Sequence, residues 1–111
     1  FGYVARELGK RRIAFICARE SIGPNRLGPA LKKQFGGLYV ANEAHTRDTA
    51  EQLLQAGEAD AVAFGKLFIA NPDLPRRFAL NAPPNTPVPE TFYASDPGGY
   101  TDYPALPPTA A

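Results

Sequence analysis

Residues 61–78 read AVAFGKLFIANPDLPRRF, a short apolar run followed by a glycine–lysine pair and a proline-punctuated helix start. The run Ala61–Gly65 has the composition of a strand buried on both faces of a parallel sheet. Lys66 follows where that strand ends, the position at which parallel α/β barrels build phosphate sites from backbone amides. Asn71 is predicted to cap a helix that runs to about Leu80, because both following prolines fall within a first turn that has no intrahelical amide bonds.

Two further apolar runs precede this stretch, Ile13–Ala18 and Leu38–Ala41, and both are predicted to be parallel strands. Helical periodicity lies between the strands, over Leu27–Phe35 and Arg47–Ala56. Thr46 precedes the second of these helices and is predicted to cap it. The alternation of strand and helix predicts an α/β fold with right-handed crossovers, in which three strands are too few to close a barrel.

The last part of the chain has a different composition. From residue 81 onward it holds eight of the twelve prolines, at positions 83, 84, 87, 89, 97, 104, 107 and 108, so regular structure is not expected there. Four aromatic residues are unusual for a free linker, so the segment is expected to pack on a larger body: Phe92, Tyr93, Tyr100 and Tyr103. The sequence therefore predicts a barrel portion over residues 1–80 and an irregular tail over residues 81–111.

Composition limits the classes of function. The 111 residues carry a net charge of +1 with interspersed signs, which favours a small-molecule ligand over nucleic acid. The apolar run Ile13–Ala18 is far shorter than the roughly 20 residues of a membrane span, and no signal-peptide pattern follows it, so a soluble cytoplasmic protein is expected. Cys17 is the only cysteine and is predicted to be a buried packing thiol in a reducing compartment. His45 has no neighbouring metal ligands, so no metal site is predicted.

The residues alone leave the role of the strand ends open. Gly65 lets a backbone approach a phosphate and Lys66 adds a charge, yet a Gly-Lys pair after a strand is more often a solvated loop. Asn42 lies in the corresponding loop of the preceding strand, where it is equally well explained as a turn residue. Because parallel strands end at one rim, the two loops are predicted to converge there.

At this point the sequence shows a family resemblance. Residues 61–78 resemble the eighth strand and following helix of the Old Yellow Enzyme family, and residues 91–93 with 99–104 are similar to the family's C-terminal signature. The likeness covers nearly the whole chain, with Ile13–Glu20 similar to the sixth strand and Leu38–Asn42 to the seventh. The resemblance implies the C-terminal part of a TIM (β/α)8 barrel with an irregular proline-rich tail.

The resemblance implies a function as well. Members are flavoproteins, FMN-dependent oxidoreductases that take hydride from NADPH or NADH and reduce activated alkenes, nitro compounds or nitrate esters; the preferred substrate and nicotinamide stay open. Their catalytic side chains lie on the first five strands, so no catalytic residue is predicted here. The chain opens within a helix-like stretch, and we expect activity only together with the N-terminal part of the barrel, as a separate or additional segment. A homo-oligomer is compatible with this expectation.

Two alternatives compete with this interpretation. One is a non-catalytic interaction module, which the exposed apolar edges of an incomplete parallel sheet disfavour. The other is a different FMN barrel enzyme, such as a hydroxy-acid oxidase, which the aromatic tail motif disfavours.

The resemblance also implies roles for individual residues. Five residues fall at family positions that hold the FMN phosphate: Asn42, Glu43 and Ala44 through their backbone amides, together with Gly65 and Lys66. Phe92 falls where the family packs an aromatic side chain near the flavin, and Tyr93 falls where it lines the substrate pocket.

Two of these positions depart from the family pattern. Lys66 stands where arginine is usual, so a compact charge replaces a planar bidentate ligand. Glu43 stands where many members have glycine. Because a carboxylate facing a phosphate repels it, the Glu43 side chain is expected to turn to solvent or to a nearby cation.

Overall fold

The computed structural model describes residues 1–20, 24–93 and 96–108, and its contacts divide the chain into two compact units, Phe1–Phe64 and Gly65–Ala111. The first unit contains α1 (Gly2–Lys10), β1 (Phe15–Arg19), α2 (Gly28–Phe35), β2 (Leu38–Asn42), α3 (Arg47–Gln55) and β3 (Ala61–Val62). The second contains α4 (Lys66–Ala70), α5 (Leu74–Leu80) and a 3₁₀ turn over Pro89–Thr91. Residues 94–95 and 109–111 of the predicted tail lie outside the described residues. The division of the chain at residue 80 stays a prediction.

The first unit is a parallel α/β sheet with the strand order β1-β2-β3. Cys17 aligns with Val40, and Val40 aligns with Ala61 on the other side. The predicted order of strands and helices is thus confirmed, although β3 is shorter than expected. None of the helices within the described ranges has the length and apolar character that crossing a membrane requires.

One face of this sheet forms the core of the first unit. Tyr39 and Ala41 of β2 are buried together with Leu53 of α3 and with Ala59, and partly buried residues pack around them. The predicted cap is confirmed: Thr46 Oγ1 accepts a hydrogen bond from the Thr49 amide at 3.2 Å, and Thr49 Oγ1 accepts one from the Thr46 amide at 2.8 Å. The reciprocal bonds satisfy amides that the first turn of α3 would otherwise leave unpaired.

The other face of the sheet is open. Phe15 is 54% exposed, Leu38 is 57% exposed and Cys17 is exposed, so the expected burial of β1 on both faces, and of the Cys17 thiol, is wrong for this chain. No element among the described residues buries these side chains. Successive side chains of a strand point to opposite faces, and in a barrel one of those faces is the interior. The apolar open face therefore has the character of the interior side of a barrel wall.

The second unit holds the tail against its helices through polar side chains. Asn71 is fully buried; its Nδ2 donates to the Leu67 carbonyl at 2.9 Å, and its Oδ1 accepts from the Asn85 amide at 2.7 Å. The expected capping role of Asn71 is therefore wrong, because tail contacts engage its side chain and α5 begins after Asp73. Helix α4, only five residues long, was not predicted.

Arg77 makes the second anchor of the tail. Only 5% exposed, it donates to Asp73 Oδ1 at 2.8 Å, to the Pro83 carbonyl at 2.8 Å and to the Pro104 carbonyl at 2.9 Å. The other oxygen of Asp73 accepts from the Leu106 amide at 2.7 Å. Hydrogen bonds between the tail backbone and the Arg77 and Asp73 side chains thus hold the tail in place, where regular secondary structure is scarce.

Candidate functional site

The loop after β2 carries the first group of predicted site residues. Glu43 and Ala44 both have positive φ angles, 101° and 56°, a conformation that glycine adopts far more readily than other residues. Asn42 Oδ1 accepts a hydrogen bond from the Glu43 amide at 2.8 Å. Ala44 is exposed, and its amide has no hydrogen-bond partner within the described part of the chain. A strained loop with an available donor therefore lies at the carboxyl end of the strand.

The Glu43 side chain is held by a neighbouring strand. Arg19, the last residue of β1, aligns with Asn42 in the sheet, and its guanidinium forms a two-point ion pair with the Glu43 carboxylate through Nε–Oε2 and Nη2–Oε1. This hydrogen-bonded carboxylate raises the pKa of Arg19 above its ordinary value. The expectation that Glu43 turns to a nearby cation is confirmed. Sequence reasoning missed Arg19, whose only signal was a charged residue at the end of an apolar run.

Gly65 and Lys66 belong to the second compact unit, whereas the β2–α3 loop belongs to the first. Gly65 precedes α4 and is exposed, and a Cβ placed on it would meet no atom within 4 Å. Lys66 is exposed, and its ammonium has no ion-pair partner among residues 1–20, 24–93 and 96–108. Open space at Gly65 and an uncompensated positive charge at Lys66 therefore lie at the start of the second unit.

The aromatic residues of the tail lie in contrasting environments. Phe92 is 4% exposed, whereas Tyr93 is 96% exposed. The Thr91 hydroxyl lies 2.8 Å from both the Val88 and Gly99 carbonyl oxygens. A Cβ at Gly99, where φ is 71°, would overlap the Thr91 side chain, so this contact requires glycine. The two halves of the tail motif are thereby joined, while the expected roles of Phe92 and Tyr93 stay predictions.

Other polar residues near these strands have structural partners. Glu20 accepts hydrogen bonds from the amides of Leu27 and Gly28, at 2.5 and 3.1 Å, and so caps the start of α2. His45 is largely buried, with Nδ1 3.3 Å from Thr49 Oγ1; burial lowers the pKa of its imidazole, and the charge of Arg26 acts in the same direction. Within the described ranges, no three His, Cys, Asp or Glu side chains cluster as metal ligands.

The donors are suited to an anion. An amide at a left-handed turn, a glycine with free space and an ammonium group are the elements from which proteins build phosphate sites. The one carboxylate of the β2–α3 loop is occupied by Arg19. The β2–α3 loop in the first unit and the Gly65–Lys66 pair in the second therefore each have donors that suit a phosphate group.

Known proteins share both the sequence and the fold. No family model matches the chain. Putative 12-oxophytodienoate reductase 3 of Oryza sativa subsp. japonica is 42% identical over 116 residues, covering 94% of this chain and 30% of the relative. The structure of the old yellow enzyme homologue from Zymomonas mobilis is 42% identical with a TM-score of 0.89, covering 96% of this chain and 32% of that one.

A structure of morphinone reductase in complex with tetrahydroNAD is 40% identical, with a TM-score of 0.89 over 99% of this chain and 31% of that chain. The chain thus spans about a third or less of the proteins it matches, and the fold is the C-terminal part of a TIM barrel. In sequence and in fold, the chain belongs to the Old Yellow Enzyme family, in which it corresponds to the C-terminal part of the barrel.

Proposed function

We propose that this chain supplies much of the FMN phosphate site of a reductase that uses NADPH or NADH to reduce activated alkenes or nitro compounds. The observation that carries the proposal is the β2–α3 loop, where two consecutive left-handed residues leave the Ala44 amide without a described partner. The relatives support the reductase class, since they are named as oxophytodienoate and morphinone reductases.

The proposed phosphate donors differ in how they act. The Ala44 amide donates a directed hydrogen bond, and Lys66 supplies a charge that can move with the ligand. Gly65 contributes space for close approach of the backbone. The Glu43 amide already donates to Asn42 Oδ1, so Asn42 shapes the loop and the amide can serve the phosphate only by exchanging that bond.

The chemistry of the reaction is shared with the cofactor and with other strands. When bound, FMN supplies hydride transfer between the nicotinamide and an electron-poor alkene. In this proposal Phe92 packs near the flavin ring, Tyr93 lines the substrate pocket, and the catalytic side chains belong to the remaining five strands. Residues 1–80 form barrel wall and residues 81–111 pack over the barrel. A cytoplasmic location accords with the single cysteine.

The test is to titrate FMN into the apo form of the full-length protein, with substitutions at Lys66. A charge-assisted hydrogen bond contributes about 1.5–3 kcal/mol, so Lys66→Ala should weaken FMN binding roughly tenfold to a hundredfold. Lys66→Arg should bind at least as well, because the guanidinium presents two donors to the phosphate. Flavin reduction at saturating FMN should be nearly unchanged, since the phosphate does not take part in hydride transfer.

Lys33→Ala is the matched control. Lys33 lies in the last turn of α2, which leads into the opposite end of β2, and its loss removes the same charge. Equal FMN affinity in Lys66→Ala and Lys33→Ala would remove Lys66 from the phosphate site.

A further inference from the structure

We propose that Arg19 is a positioning residue for this anion site: its guanidinium holds the Glu43 carboxylate aside, so that the β2–α3 loop can accept a doubly charged phosphate. The inference rests on the proposed FMN phosphate site and assigns a function to a residue outside it. Arg19 need not touch the cofactor, because its effect on binding passes through Glu43.

The contact uses two donors of the arginine side chain. Arg19 ends β1 directly beside Asn42 in the parallel register, and its Nε and Nη2 each donate to a different oxygen of Glu43. Two parallel hydrogen bonds fix both the position and the plane of a carboxylate, whereas a lysine ammonium fixes only a distance. The side chain of Glu43 is therefore oriented by the neighbouring strand.

The backbone of the β2–α3 loop explains why the Glu43 carboxylate has to be held aside. At a φ of 101° Glu43 occupies a conformation suited to glycine, yet it places a negative charge next to Ala44, whose amide is the available donor of the loop. A like charge at an anion site opposes binding. Pairing with Arg19 neutralises that charge and leaves the amide accessible.

The affinity for riboflavin separates a role in phosphate binding from a role in the fold. In this chain the Arg19 side chain is 77% exposed and that of Glu43 is 28% exposed. Arg19 lies with Phe15 and Cys17 on the open face of β1, so its surroundings in the full-length protein include whatever covers that face. Loss of Arg19 should weaken binding of FMN and leave binding of riboflavin unchanged, a combination that a merely structural role does not produce.

The experiment is a double-substitution cycle in the full-length protein, with FMN and riboflavin titrated into each apo form. Because riboflavin lacks the phosphate, the ratio of the two affinities isolates the phosphate site. We expect Arg19→Ala to weaken FMN binding roughly tenfold, as one like-charge contact would, and to leave riboflavin binding unchanged. Glu43→Gln should not weaken FMN binding, and Arg19→Ala combined with Glu43→Gln should restore it to near the wild-type value.

The outcomes of the experiment distinguish failure of the proposed role of Arg19 from failure of the proposed phosphate site. Arg11→Ala, an exposed arginine of the first unit that donates to the Glu7 carbonyl, is the matched charge control. If Arg19→Ala binds FMN like the wild type, or if Glu43→Gln fails to rescue it, the role of Arg19 is refuted while the phosphate site stands. Parallel loss of FMN and riboflavin binding with a lowered melting temperature also refutes it. If the wild type binds FMN no better than riboflavin, the proposed function itself fails.

Discussion

At the scale of single residues, the second unit depends on a buried charge that is fully paired. The guanidinium of Arg77 contacts a carboxylate and two carbonyls, so its burial does not leave it short of acceptors. Asp73 in turn accepts from Leu106 as well as from Arg77. The bonds to Pro83, Pro104 and Leu106 join α5 and its N-cap to a tail that has little backbone pairing of its own.

Asp73 should make stability depend on pH in the acid range. The Leu106 amide, and then Arg77, hold the pKa of this carboxyl below its ordinary value. The unfolded chain, with an aspartate pKa of about 3.9, therefore binds more protons near that pH than the folded chain does. The stabilisation is complete above the unfolded pKa and is lost as pH falls through the folded one.

We expect the thermal unfolding midpoint of the full-length protein to fall as pH drops below about 4, and the fall to be shallower in Asp73→Asn. The variant should also melt lower at neutral pH, because it has lost the ion pair to Arg77. A residual slope is expected from Asp60, whose pKa is lowered by the Tyr39 amide and then by Lys32. Parallel profiles for the wild type and Asp73→Asn would contradict this assignment.

At the scale of elements, the cap of α3 connects stability with the candidate site. Thr46 ends the loop that begins at Asn42, and its hydroxyl fixes where the helix starts. Thr46→Ala should lower the free energy of unfolding by about 1 kcal/mol, measured by urea denaturation, since it leaves a first-turn amide without its acceptor. Thr46→Ser keeps the hydroxyl and should stay close to the wild type; an equal loss in both variants would show that the methyl group, not the cap, matters.

Most of the first unit could be predicted from sequence because its signals are local. The apolar runs of β1 and β2, the periodicity of α2 and α3 and the threonine before α3 each act within one element, and each was found close to its predicted bounds. The same holds for the lack of regular structure in most of the proline-rich tail.

The wrong or missed predictions concern features that depend on residues far apart in the sequence. A continuous apolar run predicts burial on both faces of β1, but the layer that would cover the second face is not among the described residues. Asn71 has the sequence context of a cap, yet Asn85, fourteen residues away, engages it. The Arg19–Glu43 pair joins residues 24 positions apart. Carbonyl acceptors in the tail have no sequence signature, since every residue carries one.

At the scale of the whole molecule, the open sheet face in the first unit is the main unsatisfied surface. Phe15 and Leu38 expose apolar area there, and contiguous apolar patches of this kind mark surfaces that another segment covers. This chain matches less than a third of the length of the rice reductase. We propose that the remaining strands of the barrel cover this face.

Cys17 lies on that face and can report whether it is covered. In the chain produced alone, the exposed thiol should react with a maleimide about as fast as in urea. In the full-length protein we expect labelling of the peptide that contains Cys17 to slow by a factor of about ten or more, because the interior of a barrel is filled with side chains. Mass spectrometry of the labelled peptide distinguishes Cys17 from any other cysteine. Equally fast labelling in the folded full-length protein would contradict the covering.

The anchoring of the tail by Arg77 also has a consequence for the order of events on the ribosome. The Pro104 carbonyl that this side chain needs is made 27 residues later. At about 5–20 residues per second, that delay is about one to five seconds of synthesis. During that delay Arg77 can pair with Asp73, the residue just before α5, but the tail residues Pro104 and Leu106 that bond to this pair have not yet been synthesised. The nascent chain should therefore be most exposed to proteases and chaperones in that interval.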